Sequence, residues 1–150
     1  MENKKYEKYD ALKLGVQISF PLYACAKETV RLYKPHLDKL GLTYTQYITM
    51  LVLWEEEKLT VKELGNRLYL DSGTLTPLLK KLEAKGLLKR ERSKEDERNL
   101  IISLTEEGIA MKDDALPIPY EMVKCVDMAK EEREMLYKLL YKLLDCLKEK

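Results

Sequence analysis

Apolar residues recur three and four positions apart through most of the chain, and this spacing predicts helices. Between Thr60 and Gly86 it predicts two helices joined by a short turn. Thr60 and Glu63 have the spacing of a capping box, which starts the first helix. Asp71 or Ser72 can cap the second helix, and Gly86 can end it. The second helix turns four leucines to one side, namely Leu75, Leu78, Leu79 and Leu82.

The pattern changes from helical to alternating after Gly86. Residues 87–92 and 99–104 alternate well enough to pair as antiparallel strands around a charged tip at 93–98. Two helices followed by such a ribbon form a winged helix-turn-helix, which we place over residues 43–104. The expected fold class is therefore mainly α with a small β-ribbon.

Upstream of this region, an apolar stripe predicts a long amphipathic helix over residues 11–34. Pro21 lies inside that pattern and should kink the helix, and Pro35 should end it. A further helix is expected over residues 43–57, where Thr43 begins a second capping box.

Downstream of the ribbon, Thr105 can cap a helix that the proline-containing segment 116–119 should break. A last helix over residues 130–148 carries a wide leucine seam. We predict that residues 10–35 and 105–148 form dimerisation helices; the alternative is that the seam packs on its own domain. The seam consists of Met135, Leu136, Leu139, Leu140, Leu143, Leu144 and Leu147.

The outward face of the second helix of the predicted pair has the chemistry that reads DNA. Ser72, Thr74 and Thr76 are short enough to reach base edges in a major groove, and Lys80 and Lys81 can contact phosphates. Two alternatives stay open: an ordinary helical hairpin with hydroxyls facing water, and a winged-helix module that binds another protein.

Positive charge on the predicted ribbon favours the DNA interpretation. Residues 84–94 hold five Lys or Arg residues and one Glu, in a chain whose formal net charge is +1. Asp96 lies two residues before Arg98 and can hold its guanidinium extended, which suits a narrow minor groove. Arg90 and Arg92 are expected to assist.

Composition limits the remaining classes of protein. The chain has 150 residues, 45% hydrophobic and 35% charged, which predicts one soluble globular domain. No apolar stretch reaches the ~20 residues of a membrane-spanning helix, and the polar N-terminus lacks the apolar core of a signal peptide. We therefore expect a cytoplasmic protein without a membrane partner.

Catalytic and metal-binding motifs are not found in the sequence. Nucleophile elbows and phosphate-binding glycine loops are absent. His36 and the three cysteines, Cys25, Cys125 and Cys146, lack the spacing of a zinc site. We expect neither an enzyme, nor a cofactor, nor a metal.

The segments LYLDSGTLTPLLKKLE and RSKEDERNLIISLTEEG closely resemble the MarR family of bacterial transcription regulators. The segment FPLYACAKETVRLYKPHLDKLGLTYTQY resembles the branch of that family that senses organic peroxides and thiol oxidation. The resemblance implies a homodimer that binds a pseudo-palindromic operator as a transcription regulator, most simply a repressor.

That branch carries its reactive cysteine in the first long helix, at the position that Ser19 occupies here. Tyrosines that surround the thiol in the branch match Tyr23, Tyr33 and Tyr44. The resemblance therefore implies a sensing pocket that lacks its reactive atom, because a serine hydroxyl is not oxidised to a sulfenic acid.

Three explanations of Ser19 stay open. It is an engineered replacement of cysteine, or sensing has moved to Cys25, or the pocket binds a small phenolic or other organic ligand. Cys125 resembles the C-terminal thiol of two-cysteine members, which meets the sensing thiol of the other subunit; here it would need Cys25. The competing interpretation of Cys25 is a buried small hydrophobe. Cys146 is expected to pack on the last helix.

Overall fold

A computed structural model describes residues 8–96 and 98–148. Most of these residues are helical, and a small antiparallel sheet accompanies the helices, which confirms the expected fold class. In chain order the elements are α1 (Ser19–Leu40), α2 (Tyr44–Glu56), β1 (Lys58–Thr60), α3 (Val61–Leu68), α4 (Ser72–Ala84), β2 (Leu88–Arg92), β3 (Leu100–Leu104), α5 (Glu106–Ala115), α6 (Pro117–Lys124) and α7 (Lys130–Lys148).

Both predicted capping boxes form. The Gln46 backbone N–H donates to the Thr43 hydroxyl at 3.3 Å, and the Thr43 N–H donates to the Gln46 side chain at 3.0 Å. Thr60 and Glu63 make the same exchange at the start of α3, at 3.2 and 2.7 Å. Each box satisfies backbone donors that a helix start leaves unpaired, so both helices begin where the sequence predicted.

The helix that carries the predicted reading face is fixed at both ends. Asp71, rather than Ser72, is its cap, because its Oδ1 accepts from the Thr74 N–H at 2.8 Å. Gly86 adopts a φ of +74°, the left-handed conformation that glycine adopts without a Cβ penalty, and ends the helix as predicted. The helix α4 therefore holds its exposed side chains at defined positions.

The predicted ribbon is confirmed, but it belongs to a three-stranded sheet in the order β1-β3-β2. The additional strand β1 pairs Leu59 with Ile102. Three residues are too few to show an alternating pattern, so the sequence did not predict this strand. Its pairing joins the wing to the start of α3.

The prediction for the N-terminal helix was wrong at both ends. Two short 3₁₀ turns, Asp10–Leu12 and Leu14–Val16, precede α1, so Pro21 lies in the first turn, where its missing N–H costs little. The helix continues past Pro35 because the next turn buries Leu37, which is 2% exposed.

The chain divides into two compact units, residues 1–118 and 119–150. In the first unit, Met50, Leu53, Leu64, Leu82 and Ile102 are fully buried and bring α2, α3, α4 and the sheet into one core. The expected break separates α5 from α6, and α7 spans the predicted residues 130–148 but buries none of its side chains. Among the described helices, none combines the length and apolar character needed to cross a membrane.

Candidate nucleic-acid interface

One face of α4 lies in the core, and the opposite face is exposed. Leu75, Leu78, Leu79 and Leu82 are buried, as the leucine spacing predicted. The exposed face carries the five residues predicted to contact DNA from this helix: Ser72, Thr74, Thr76, Lys80 and Lys81.

Local hydrogen bonds orient two of these hydroxyls. The Thr76 hydroxyl donates to the Ser72 carbonyl oxygen at 2.7 Å, and the Thr74 hydroxyl lies 3.3 Å from the Asp71 carboxylate. Since its proton bonds the helix backbone, Thr76 can offer a base edge its oxygen lone pairs and its methyl group.

A groove of about 510 Å³ separates this face from the wing. Buried leucines form its floor, whereas Ser72, Thr76 and Arg98 lie along its rim together with Lys62 and Asn66 of α3. The sequence analysis missed Lys62 and Asn66. Their four-residue spacing on the polar face of α3 is the signal that could have identified them.

The turn at the tip of the wing is held by its own carboxylate. Asp96 Oδ1 accepts from the Arg98 backbone N–H at 3.0 Å, and the Asn99 N–H donates to the Asp96 carbonyl oxygen at 2.9 Å. The prediction that Asp96 holds the Arg98 guanidinium was wrong in its geometry, because the bond is to the backbone. Asp96 orders the turn, and the Arg98 side chain projects from it into solvent.

The other two wing arginines differ in their surroundings. Arg92 is exposed, as a phosphate contact requires. Arg90 is only 19% exposed and donates from Nε and Nη2 to Glu83 Oε2 at 2.8 and 2.6 Å. These hydrogen bonds hold the pKa of Glu83 below its ordinary range. The guanidinium of Arg90 is therefore occupied by Glu83, contrary to the expectation that it assists at the DNA surface.

The residues predicted for a sensing pocket fall into two groups. Ser19 is the first residue of α1, and Tyr23 is 66% exposed one turn later. Tyr33 follows Ser19 by 14 positions on the same helix, which separates them by about 21 Å at 1.5 Å per residue. Tyr33 packs edge-on against Tyr44, with ring centroids 5.1 Å apart. The four side chains therefore do not form one pocket within a single chain.

The tyrosine pair continues into the core through a residue that the sequence analysis assigned only to packing. The Tyr47 ring lies 5.7 Å from Tyr33 and 6.5 Å from Trp54. Burial raises the pKa of Tyr47 to about 12, and charge on the neighbouring Tyr33 and Tyr44 phenols would raise it further in the same direction. A pocket of about 370 Å³ opens beside Tyr44 and is rimmed by cations, Lys27, Arg31 and Lys34.

All three cysteines are exposed free thiols. Exposure contradicts the interpretation of Cys25 as a buried hydrophobe, and also the expectation that Cys146 packs on its helix. Cys25 lies in the first compact unit, and Cys125 and Cys146 lie in the second. Within residues 8–96 and 98–148, no cluster of three His, Cys, Asp or Glu side chains could hold a metal ion.

Comparison with known proteins identifies several relatives. The family described as transcriptional regulator SarA/Rot matches residues 31–115. The organic hydroperoxide resistance transcriptional regulator of Bacillus subtilis (strain 168) is 49% identical over 150 residues, covering 100% of this chain and 99% of that protein. The regulator SarZ of Staphylococcus haemolyticus is 46% identical over 123 residues, covering 82% of this chain and 84% of that protein.

A solved structure of similar fold is reduced AbfR bound to DNA, a protein of Staphylococcus epidermidis. It superposes with a TM-score of 0.81 and 34% sequence identity, covering 95% of this chain and 98% of that one.

Proposed function

The chain belongs to the MarR family of winged-helix transcription regulators, and we propose that it is a homodimeric repressor that binds a pseudo-palindromic operator. In this proposal residues 43–104 form the DNA-binding region, and the protein acts in the cytoplasm as a regulator rather than an enzyme. The family offers DNA-bound examples, including the reduced AbfR structure.

The observation that carries the proposal is the pairing of two DNA-reading devices across one groove. The hydroxyls of α4 lie on one rim, and Arg98 projects from an ordered turn on the other. Hydroxyls suit base edges in the major groove, and an exposed arginine suits the minor groove. Lys80 and Lys81 continue the positive surface from the helix toward the phosphates.

A second copy of the chain would cover apolar surface that a monomer leaves in water. In the first unit the segment before and at the start of α1 exposes Leu12, Leu14, Ile18 and Phe20. In the second unit α7 exposes its leucine seam, including Leu136 and Leu139. We infer that residues 10–35 and 105–148 supply the dimer interface, because two reading helices related by a two-fold axis match a pseudo-palindrome.

Regulation by organic hydroperoxide is proposed from the Bacillus relative and from the conserved tyrosine pattern. Because Ser19 and the Tyr33–Tyr44 pair are about 21 Å apart on one chain, a joint pocket would combine Ser19 of one subunit with the tyrosine pair of the other. Serine cannot supply the oxidisable sulfur of such a pocket. Cys25, which is exposed on the same helix, is the candidate thiol, with Cys125 as a possible partner.

A second mode of regulation is supported by the pocket beside Tyr44. Its apolar walls and its cationic rim of Lys27, Arg31 and Lys34 suit a small aromatic acid or phenol. In that case the ligand, and not oxidation, would release the protein from DNA.

Fluorescence anisotropy on labelled DNA from the protein's own promoter region tests both the binding and its control. The protein, its Ser19→Cys variant and its Cys25→Ser variant are each titrated before and after cumene hydroperoxide. Release of the unmodified protein but not of Cys25→Ser assigns sensing to Cys25. Release of Ser19→Cys alone places the peroxide site at position 19, and no release from any variant favours the ligand. Absence of DNA binding overturns the proposed function.

A further inference from the structure

A carboxylate at the end of the reading helix grips the wing through three hydrogen bonds. Glu83 lies in the last turn of α4, and Arg90 lies in the middle of β2. The Arg90 backbone N–H donates to Glu83 Oε1 at 3.1 Å, and its Nε and Nη2 donate to Glu83 Oε2 at 2.8 and 2.6 Å.

Both residues are anchored in rigid parts of the fold. Leu82, which precedes Glu83, is completely buried, and Arg90 pairs in the sheet with Ile102, which is also completely buried. A charge-assisted contact between two fixed backbones restricts their relative position more than a contact between flexible side chains does, because little side-chain motion remains to absorb a shift.

We propose that Glu83 and Arg90 are positioning residues, which set the distance and angle of the wing relative to α4 so that Thr74 and Arg98 engage neighbouring grooves of one duplex. The inference rests on the proposed DNA binding. It also accounts for a carboxylate close to a DNA-facing surface, where negative charge by itself opposes phosphate binding.

The alternative is that Arg90 is a phosphate ligand that Glu83 merely neutralises in free protein, and the two roles predict opposite signs. Glu83→Gln keeps the side-chain shape but removes the charge that holds Arg90. If Arg90 binds phosphate, this variant should bind operator more tightly, since a cation is released and a carboxylate is lost. If the pair positions the wing, affinity should fall on the order of tenfold, the scale of one lost charge-assisted hydrogen bond.

The experiment measures operator and random-sequence binding of full-length protein by fluorescence anisotropy at several salt concentrations. Glu91→Gln is the matched control, because Glu91 is exposed on the same strand and its loss reports the electrostatic effect alone. We expect Glu83→Gln to lose operator affinity and the ratio of operator to random binding, while its salt dependence matches that of Glu91→Gln. A lost phosphate contact would instead reduce the slope of log affinity against log salt by about one.

Arg90→Lys supplies an independent test, because it keeps the positive charge but cannot donate two parallel hydrogen bonds. We expect it to lose discrimination as Glu83→Gln does, and circular dichroism melting checks that each variant is folded at the assay temperature. If Glu83→Gln is unfolded there, Arg90→Lys decides alone. If the unmodified protein does not bind operator, the proposed function and the inference both fail. If it binds, and neither variant loses discrimination, the positioning role alone is overturned.

Discussion

The indole N–H of Trp54 donates a hydrogen bond to the Gly108 carbonyl oxygen at 2.8 Å, joining α2 to α5. The two helices meet closely here because position 108 has no side chain. A Cβ at Gly108 would lie 2.0 Å from the Leu87 carbonyl oxygen, well inside contact distance. The DNA-binding region is thereby tied to the helix that follows it.

Substitutions at this junction should destabilise the fold. Trp54→Phe leaves the buried Gly108 carbonyl without its donor, which costs about 1–3 kcal/mol in the free energy of unfolding. Gly108→Ala should cost at least as much, because the Leu87 backbone must move. Urea unfolding followed by circular dichroism measures both. Gly15→Ala is the control, since a Cβ there meets nothing within 4 Å; equal stability of Gly15→Ala and Gly108→Ala would contradict the close approach.

The two DNA-reading devices should respond differently to alanine. Arg98→Ala should weaken binding to operator and random duplexes alike and lower the salt slope by about one, since its charge faces the backbone and minor groove. Thr74→Ala should mainly reduce discrimination between sequences. Anisotropy titrations on both duplexes separate these effects. Unchanged affinity of Arg98→Ala would remove the wing from the interface.

The leucine seam of α7 should hold two chains together. Leu139→Glu places a charge in the middle of an exposed apolar face and should shift the protein from dimer to monomer in sedimentation velocity experiments. Lys138→Glu adds the same side chain one position away, on a polar part of the helix, and should leave the dimer intact. Dissociation by both variants, or by neither, would argue against this seam as the interface.

Tyr47 should make the fold sensitive to alkaline pH. Because burial raises its pKa from 10.0 to about 12, the folded state holds the phenol proton more tightly than the unfolded chain does. Tyr47 therefore contributes stability that is complete below pH 10.0 and is lost as the pH rises toward 12. Melting temperatures measured between pH 9 and 11 should fall less steeply for Tyr47→Phe. Parallel pH profiles of the two proteins would show that Tyr47 ionises normally.

The features that the sequence determined by itself are local. Thr43 and Thr60 cap their helices through bonds to residues three positions away, and the four leucines of α4 share a face because helical spacing puts them there. The wing followed for the same reason, since its two strands are close in the chain. Interactions spanning a few residues depend little on the rest of the fold, so their patterns are legible without it.

Tertiary structure decided the features that join distant residues. The strand β1 exists because Leu59 finds Ile102, and α1 continues past Pro35 because burial of Leu37 favours the helix. Packing also placed Arg90 on Glu83 and separated Ser19 from Tyr33 along one helix. The sequence identifies which side chains carry charge or a hydroxyl, but only packing decides which of them are already bonded within the protein and which remain exposed to DNA.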